Sequence, residues 1–176
     1  LTALKTWFCF DNRIVCLGSN ISTAGVDYPV RTNLFQKFLT AEHATTQLNG
    51  EALTLGDQAI NRDETKATTL IDPYGNAYIT PAETPVHLRI SEQKSRNNND
   101  SKDTTGKYST AWIEHGNNPK DAAYEYAVLV QPTDEDLKSF TAKQPYQALN
   151  KVATAHIVHD APTNTTAYVI FKTDAD

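Results

Sequence analysis

The stretch KTWFCFDNRIVCLGSNI, residues 5–21, decides the fold of this chain. Two apolar runs, Leu4–Phe10 and Arg13–Leu17, flank the dipeptide Asp11-Asn12, which is typical of a two-residue hairpin turn. Side chains on both faces of both runs are apolar, and strands of that kind are buried on both faces. We therefore expect this hairpin to lie inside a layered sheet structure.

The hairpin register also predicts the state of the two cysteines. A turn at residues 11–12 sets Cys9 opposite Ile14 and Trp7 opposite Cys16. The cysteines then share one face but lie diagonally, roughly 7–8 Å apart, whereas a disulfide requires a closer approach. We therefore predict two buried free thiols. No histidine lies near them at ligand spacing, so no zinc site is predicted there.

The rest of the chain reads as further strands and one helix. Asn49-Gly50 is a strong hairpin signal, and the segment 72–76 and the segment 115–119 have the composition of turns. Thr133 as N-cap and Asp136 as a capping-box partner predict a helix over 133–143. The remaining strands are predicted over 30–36, 47–48, 52–55, 67–71, 77–80, 85–90, 108–114, 124–130, 156–159 and 167–171. About eleven strands and one helix are typical of an all-β, antiparallel β-sandwich.

A long polar run, Ser91–Lys107, separates two of these strands. It lacks hydrophobic periodicity, so we predict an exposed loop. A mobile connection is the simpler interpretation, and a loop that reaches over a substrate cleft is the functional one.

Composition excludes several function classes. The formal net charge is −5 and no basic stripe occurs, so no nucleic-acid partner is expected. No apolar stretch approaches the roughly 18 residues of a membrane span, and no signal peptide is visible. A stand-alone binder of sulfated polysaccharide usually carries excess positive charge. This chain is negatively charged overall, which favours a structural role. The chain has no methionine, so we expect a segment of a longer protein.

One cluster of residues has the chemistry of proton transfer. Its members supply a base, amide donors and phenols: Glu114, His115, Asn117, Asn118, Lys120, Tyr124, Glu125 and Tyr126. In an elimination beside a carboxylate, His115 would be the base and Asn117 would neutralise the carboxylate. The alternative, which we favour, is a polar turn with Tyr124 and Tyr126 packed on one sheet face.

The histidines do not predict a metal site. His156 and His159 are three residues apart, and in a strand they point to opposite faces. No phosphate-binding loop or nucleophile elbow occurs. We therefore predict no cofactor and no metal, and we assign no catalytic or binding residue.

Five stretches, in order, resemble polysaccharide lyase family 8, the hyaluronate, chondroitin and xanthan lyases, with the chondroitin sulfate ABC lyases most similar. They are KTWFCFDNRIVCLGSNI at 5–21, VRTNLFQ at 30–36, LNG at 48–50, the segment 71–78, and the segment 111–126, which contains PKDAAYEY. The resemblance implies a secreted or periplasmic bacterial enzyme that cleaves glycosaminoglycans by β-elimination. It also implies a supersandwich fold, similar to galactose mutarotase.

The same resemblance places the chemistry elsewhere. The catalytic residues of the family precede the stretch that resembles Leu1, so none has a counterpart here, and His115 matches a structural position. We expect residues 1–176 to be one segment of the central β-sandwich domain, without the helical domain and the final small β-domain. The segment would pack against the upstream helical domain and meet glycosaminoglycan only through the whole enzyme.

Two alternatives belong to other functional classes. The first is a carbohydrate-binding β-sandwich module without lyase activity, which requires exposed aromatics on one sheet face. Trp7 and Trp112 lie in strands whose pattern buries them, and this counts against such a module. The second is an interaction sandwich that contacts a partner through Ser91–Lys107.

Overall fold

A computed structural model describes residues 1–25, 27–55, 60–61, 66–99 and 101–172. Within these ranges the chain forms antiparallel strands and one helix, as predicted. The elements are β1 (Thr2–Phe10), β2 (Arg13–Ser22), β3 (Pro29–Phe38), β4 (Thr46–Leu48), β5 (Glu51–Leu53), β6 (Ile60–Asn61), β7 (Thr68–Ile71), β8 (Ala77–Thr80), β9 (Val86–Arg96), β10 (Asp103–Asn117), β11 (Ala122–Leu129), α1 (Asp134–Ala142), β12 (Tyr146–Val152), β13 (Ala155–Asp160) and β14 (Thr165–Ile170).

The chain divides into two compact units. The terminal unit comprises Leu1–Val30 and His115–Asp176, and the middle unit comprises Arg31–Glu114. In the terminal unit the strands pair in the orders β1-β2-β11 and β12-β13-β14. In the middle unit they pair in the orders β8-β7-β4-β5 and β3-β10-β9-β6.

The first hairpin has the predicted register, with Trp7 opposite Cys16 and Cys9 opposite Ile14. Both thiols are free, but only Cys16 is buried, so the prediction of two buried thiols is wrong for Cys9. The prediction that the hairpin is buried on both faces is also wrong for β1, where Trp7 is 61% exposed. The reason is that β1 is the outermost strand of β1-β2-β11, and only one of its faces is covered by a second layer.

That second layer is the sheet β12-β13-β14, which meets the hairpin through a buried histidine. His156 has no exposed surface. Its Nδ1 lies 2.8 Å from Thr6 Oγ1, and its Nε2 lies 2.8 Å from Ser19 Oγ. At the other end of β2, the Arg13 guanidinium donates to both carboxylate oxygens of Asp160 at 3.0 Å. Two buried polar contacts therefore fix the alignment of the layers.

The middle unit contains strands of two sheets that pack on each other. Asn49 and Gly50 have φ values of 50° and 84°, so they form the tight turn between β4 and β5 that the sequence predicts. Between the sheets, Thr46 Oγ1 lies 2.6 Å from Ser109 Oγ, and the Phe35 and Tyr78 rings are 4.9 Å apart. The largest fully buried apolar side chains of the unit are Leu70, Leu88, Ile90 and Ile113.

The polar run Ser91–Lys107 is not the loop that we predicted. β9 continues to Arg96 and β10 begins at Asp103, and their residues pair continuously from Ser91 opposite Tyr108 to Arg96 opposite Asp103. The backbone satisfies its hydrogen bonds in this ladder, so the strands need no buried side chains over their outer part. Since both faces of this ribbon are largely solvated, the sequence has no period-2 hydrophobic signal.

Other elements also differ from the prediction, among them β2, which continues to Ser22 and does not end at Leu17. β10 runs to Asn117, so the predicted turn at 115–119 is confined to the residues that follow Asn117. β12 was not predicted, because a register shift between Ala148 and Asn150 interrupts its alternation. Helix α1 is confirmed, with Thr133 as N-cap in a reciprocal capping box with Asp136.

Close packing at Gly18 generates one prediction. A Cβ at this position would overlap the ring of Tyr124, which lies opposite it on β11. We expect Gly18→Ala to lower the free energy of unfolding by about 1–3 kcal/mol, measured by urea denaturation. Adding Tyr124→Leu should recover part of the loss, because it removes the ring. A fully additive double mutant would contradict the proposed clash.

The buried histidine generates a second prediction. Burial, and to a lesser extent the charge of Lys151, lowers the pKa of His156 below its usual value of 6.5. The unfolded chain therefore takes up a proton more readily, so the free energy of unfolding should fall as the pH drops below about 6.5. We expect His156→Gln to reduce this slope in urea titrations. His159→Gln, on the other face of β13, is the matched control, and an unchanged slope in His156→Gln would refute the assignment.

Candidate functional site

The predicted proton-transfer cluster has a packed aromatic centre. Tyr124 and Tyr126 are 4% and 7% exposed, and their rings stack 5.7 Å apart. The His115 ring lies 6.1 Å from that of Tyr124. Burial, together with the nearby Cys16, raises the pKa of the Tyr124 phenol. Tyr124 therefore stays protonated at neutral pH and packs on one sheet face, as the alternative interpretation predicts.

The polar members of the cluster point to separate partners. Glu125, between the two tyrosines on β11, accepts from Lys151 Nζ at 3.3 Å. Asn117 is exposed and donates Nδ2 to the backbone oxygen of Asp27 at 3.5 Å. Glu114 belongs to the middle unit, where it has other partners. The two carboxylates and the Asn117 amide are therefore engaged in contacts that stabilise the fold.

The histidine pair is likewise divided between two environments. His156 lies in the core between two hydroxyl groups, while the Nδ1 of His159 lies 3.0 Å from Thr166 Oγ1. Among the described residues, no group of three or more His, Cys, Asp or Glu side chains is placed to hold a metal ion. In the same ranges, no helix has the length and apolar character needed to cross a bilayer.

A different cluster, on the wet face of β3-β10-β9, is the more promising site. Trp112 lies between two side chains, with the Arg31 Cζ 4.7 Å from its ring centroid and the His87 ring stacked at 5.4 Å with an 8° tilt. Glu114 Oε2 accepts from Trp112 Nε1 and from Arg31 Nε, both at 3.0 Å. In this cluster of four side chains, Arg31, His87, Trp112 and Glu114, each of the other three contacts the Trp112 side chain.

Electrostatics fix the charge of Glu114. Burial by itself would raise the pKa of this carboxyl. The hydrogen bonds from Trp112 and Arg31 and the positive charge of Arg31 outweigh burial, so the pKa lies below its usual value. Glu114 therefore remains a carboxylate at neutral pH and pairs with the Arg31 side chain, which lines the groove described next.

Next to this cluster, the wet face of the sheet forms a groove of about 540 Å³, which Arg31 and Trp112 also line. A chain of amides crosses it. Gln36 Nε2 donates to Gln93 Oε1 at 2.8 Å, and Gln93 Nε2 donates to Thr110 Oγ1 at 2.8 Å. Asn33 also lines the groove. These side chains come from three neighbouring strands, so the sheet itself aligns the row of hydrogen-bonding groups.

Three cations and one carboxylate, Glu92, line the groove. Arg31 contributes a side chain that is 47% exposed. Lys94 is paired with Asp103 at 2.6 Å, but both side chains are more than half exposed, so the pair is weak. Arg89 donates Nε to Ser91 Oγ at 2.9 Å, and no ion pair joins it to a carboxylate in the described part of the chain. The carboxylates of Glu114 and Asp103 offset Arg31 and Lys94, so Arg89 supplies the unpaired positive charge among the described residues that line the groove.

The sequence did not identify this groove. Sequence analysis names Glu114 for proton transfer, Trp112 as a buried ring and Ser91–Lys107 as a loop, but it does not bring them together. The alternation of polar residues in 31–33 and 87–93 was a signal for a wet sheet face. It could not reveal which strands become neighbours, because β3 pairs with β10 and not with the strand that follows it in sequence.

Comparisons with known proteins agree on one family. Residues 1–141 match the model for polysaccharide lyase family 8, super-sandwich domain. The chondroitin sulfate ABC endolyase of Proteus vulgaris is 32% identical over 176 residues, covering 97% of this chain and 17% of that enzyme. The chondroitin sulfate ABC exolyase of the same organism is 31% identical, covering 98% of this chain and 16% of that enzyme. The chain therefore spans about a sixth of the length of these relatives.

The fold has a matching solved structure as well. A chondroitinase AC lyase, solved with oligosaccharides, superimposes with a TM-score of 0.83, covering 97% of this chain and 25% of that one. The sequence identity of this pair is 23%, so the likeness shows the fold alone.

The Glu114 contacts yield a third prediction. Because the folded pKa is lowered, the stabilising contribution is present above about pH 4.5 and is lost as the pH falls through the folded pKa. We expect Glu114→Gln to lower the free energy of unfolding by up to about 1 kcal/mol near neutral pH, since Arg31 is half exposed. The difference from wild type should be smaller at an acidic pH, below the folded pKa, than near neutral pH.

Tryptophan fluorescence during urea unfolding at both pH values measures this difference. Asp103→Asn, which removes the exposed partner of Lys94, is the control and should change stability less. A Glu114→Gln effect that is the same at both pH values would show that the ion pair with Arg31 does not contribute.

Proposed function

Since the chain belongs to polysaccharide lyase family 8, with its super-sandwich domain matched over residues 1–141, we propose that it is the non-catalytic β-sandwich portion of a glycosaminoglycan lyase. The whole enzyme would cleave chondroitin or dermatan sulfate, or hyaluronan, by β-elimination and leave an unsaturated uronate product. The names of the Proteus vulgaris relatives support chondroitin sulfate as the substrate.

The burial of Tyr124 and Tyr126 carries the proposal that this segment alone does no chemistry. An elimination needs a base beside the carbon acid and a group that neutralises its carboxylate. Tyr124 is held in its protonated form by burial, and Glu125 is paired with Lys151. Neither group is set up to remove a proton from a bound uronate.

The remaining features of the proposal follow from the family. The catalytic residues would lie in an upstream helical domain of the same protein, against which this segment would pack. Glycosaminoglycan would be the partner of the whole enzyme, and the enzyme would be secreted or periplasmic in a bacterium. No catalytic residue, cofactor or metal ligand is assigned within residues 1–176.

A carbohydrate-binding module that stacks sugars on aromatic rings is the alternative from another class. The sequence pattern predicts that Trp7 is buried, but Trp7 is exposed. This removes one argument against that module. Trp112, however, is 9% exposed and has Arg31 and His87 against its ring. The interaction sandwich loses its predicted mobile loop, because Ser91–Lys107 forms paired strands over much of its length.

An absorbance assay tests the proposal. The purified chain is incubated with chondroitin sulfate, and the ultraviolet absorbance of unsaturated uronate is followed. A longer protein that joins this chain to the upstream helical domain is assayed in parallel, with the Proteus vulgaris endolyase as positive control. We expect a signal from the longer protein and none from the chain alone.

Either of two results would contradict this expectation. Product from the isolated chain would locate chemistry within residues 1–176, and His115→Ala would then be the first variant to make. A longer, folded protein that yields no unsaturated product from any of the three glycosaminoglycans would refute the proposed reaction.

A further inference from the structure

The groove on β3-β10-β9 is built for polar ligands and not for stacking. The Arg31 guanidinium already lies over the Trp112 ring, and the His87 ring is stacked with it. Sugars bound by stacking need a free aromatic face. The groove therefore has to hold a ligand through hydrogen bonds and charge.

The hydrogen-bond donors of the groove suit the acceptor oxygens of an acidic sugar chain. The Arg31 Nε is committed to Glu114, which orients the guanidinium. Among the described residues, no hydrogen bond joins its two Nη groups to the protein. Arg89 has an exposed side chain and no carboxylate partner in the described ranges. Two guanidinium groups can hold carboxylates or sulfates through charge-assisted hydrogen bonds.

A row of linked polar side chains, here called the amide row, supplies hydrogen bonds in addition to the charged groups. Gln36, Gln93 and Thr110 are linked by two hydrogen bonds of 2.8 Å, which hold their side chains in place. Each amide keeps one further donor and acceptor site, which suits the hydroxyl groups of a sugar. Groups held in place before binding cost less entropy to order.

We propose that this groove binds an anionic polysaccharide, with Arg31 and Arg89 on its carboxylate or sulfate groups and the amides of Gln36 and Gln93 on its hydroxyl groups. The segment would then hold substrate as well as support the fold. The formal charge of −5 is an average over the whole chain and does not describe this surface, where Arg89 has no carboxylate partner among the described residues. The choice of chondroitin sulfate as the probe rests on the proposed function, whereas the chemistry of the groove does not.

Binding is tested on the 176-residue chain by fluorescence anisotropy with a labelled chondroitin sulfate oligosaccharide at low ionic strength. Arg89→Gln removes one groove cation, and we expect it to weaken binding about tenfold. Arg96→Gln is the matched control, since it makes the same change on the same strand, outside the residues that line the groove. Arg96→Gln should leave the Kd within about twofold of the wild-type value, because it changes only the long-range, screened attraction of the surface for the ligand.

A second variant tests the groove without removing a cation. Gln93→Glu places a negative charge in the middle of the amide row and should abolish detectable binding. Circular dichroism and the urea midpoint verify that each variant is folded. Competition with unlabelled hyaluronan and with neutral dextran defines the ligand, and we expect hyaluronan to compete and dextran to fail.

Three results would overturn the proposal. They are no binding of the oligosaccharide by the folded chain, equal weakening by Arg89→Gln and Arg96→Gln, and equal competition by dextran. None of these would bear on the lyase reaction, which is measured separately in the longer protein. Conversely, binding that depends on Arg89 would stand even if that protein formed no unsaturated product.

Discussion

Strand register is the constraint on which the rest of this structure depends. Each sheet has one face that must be kept from water, and a slip by one residue would exchange that face for the wet one. In the terminal unit, the register of β1 with β2 brings Thr6 and Ser19 to the two nitrogens of His156. In the middle unit, the register of β9 with β10 sends Ile90 into the core and Arg89 into the groove.

Buried polar groups make that register specific. An apolar core tolerates several arrangements of similar volume, whereas a buried imidazole with two hydroxyl partners accepts very few. Asp160 acts similarly, since its carboxylate has no exposed surface and accepts three hydrogen bonds from Arg13. Asp72 has the same role in the middle unit. Its carboxylate accepts hydrogen bonds from the backbone of the turn before β8 and forms an ion pair with Lys37. Functional surfaces can then form on the opposite, wet faces.

The groove shows why scaffold and binding surface need not be separate roles. Its amides and guanidinium groups occupy the wet face of strands whose other face is core, so they need no elements of their own. The Glu114 carboxylate fixes Arg31 against Trp112, and this removes the ring as a stacking platform. The same contact leaves the rest of the guanidinium available. A module of this kind would favour charged polysaccharides over neutral ones.

The sequence by itself determined the fold class, the family, the first hairpin register, the Asn49-Gly50 turn and the capped helix. The family follows from the resemblance of five sequence stretches. The other features follow from local chemistry, because period-2 patterns, turn dipeptides and a capping box act between residues close in the chain. Only the tertiary structure decided that Cys9 and Trp7 are exposed, that residues 91–96 pair with residues 103–108 as a ribbon, and that Arg31, Gln93 and Thr110 share one groove. Those outcomes depend on which distant strands become neighbours and which faces a second layer covers, and no local pattern encodes either.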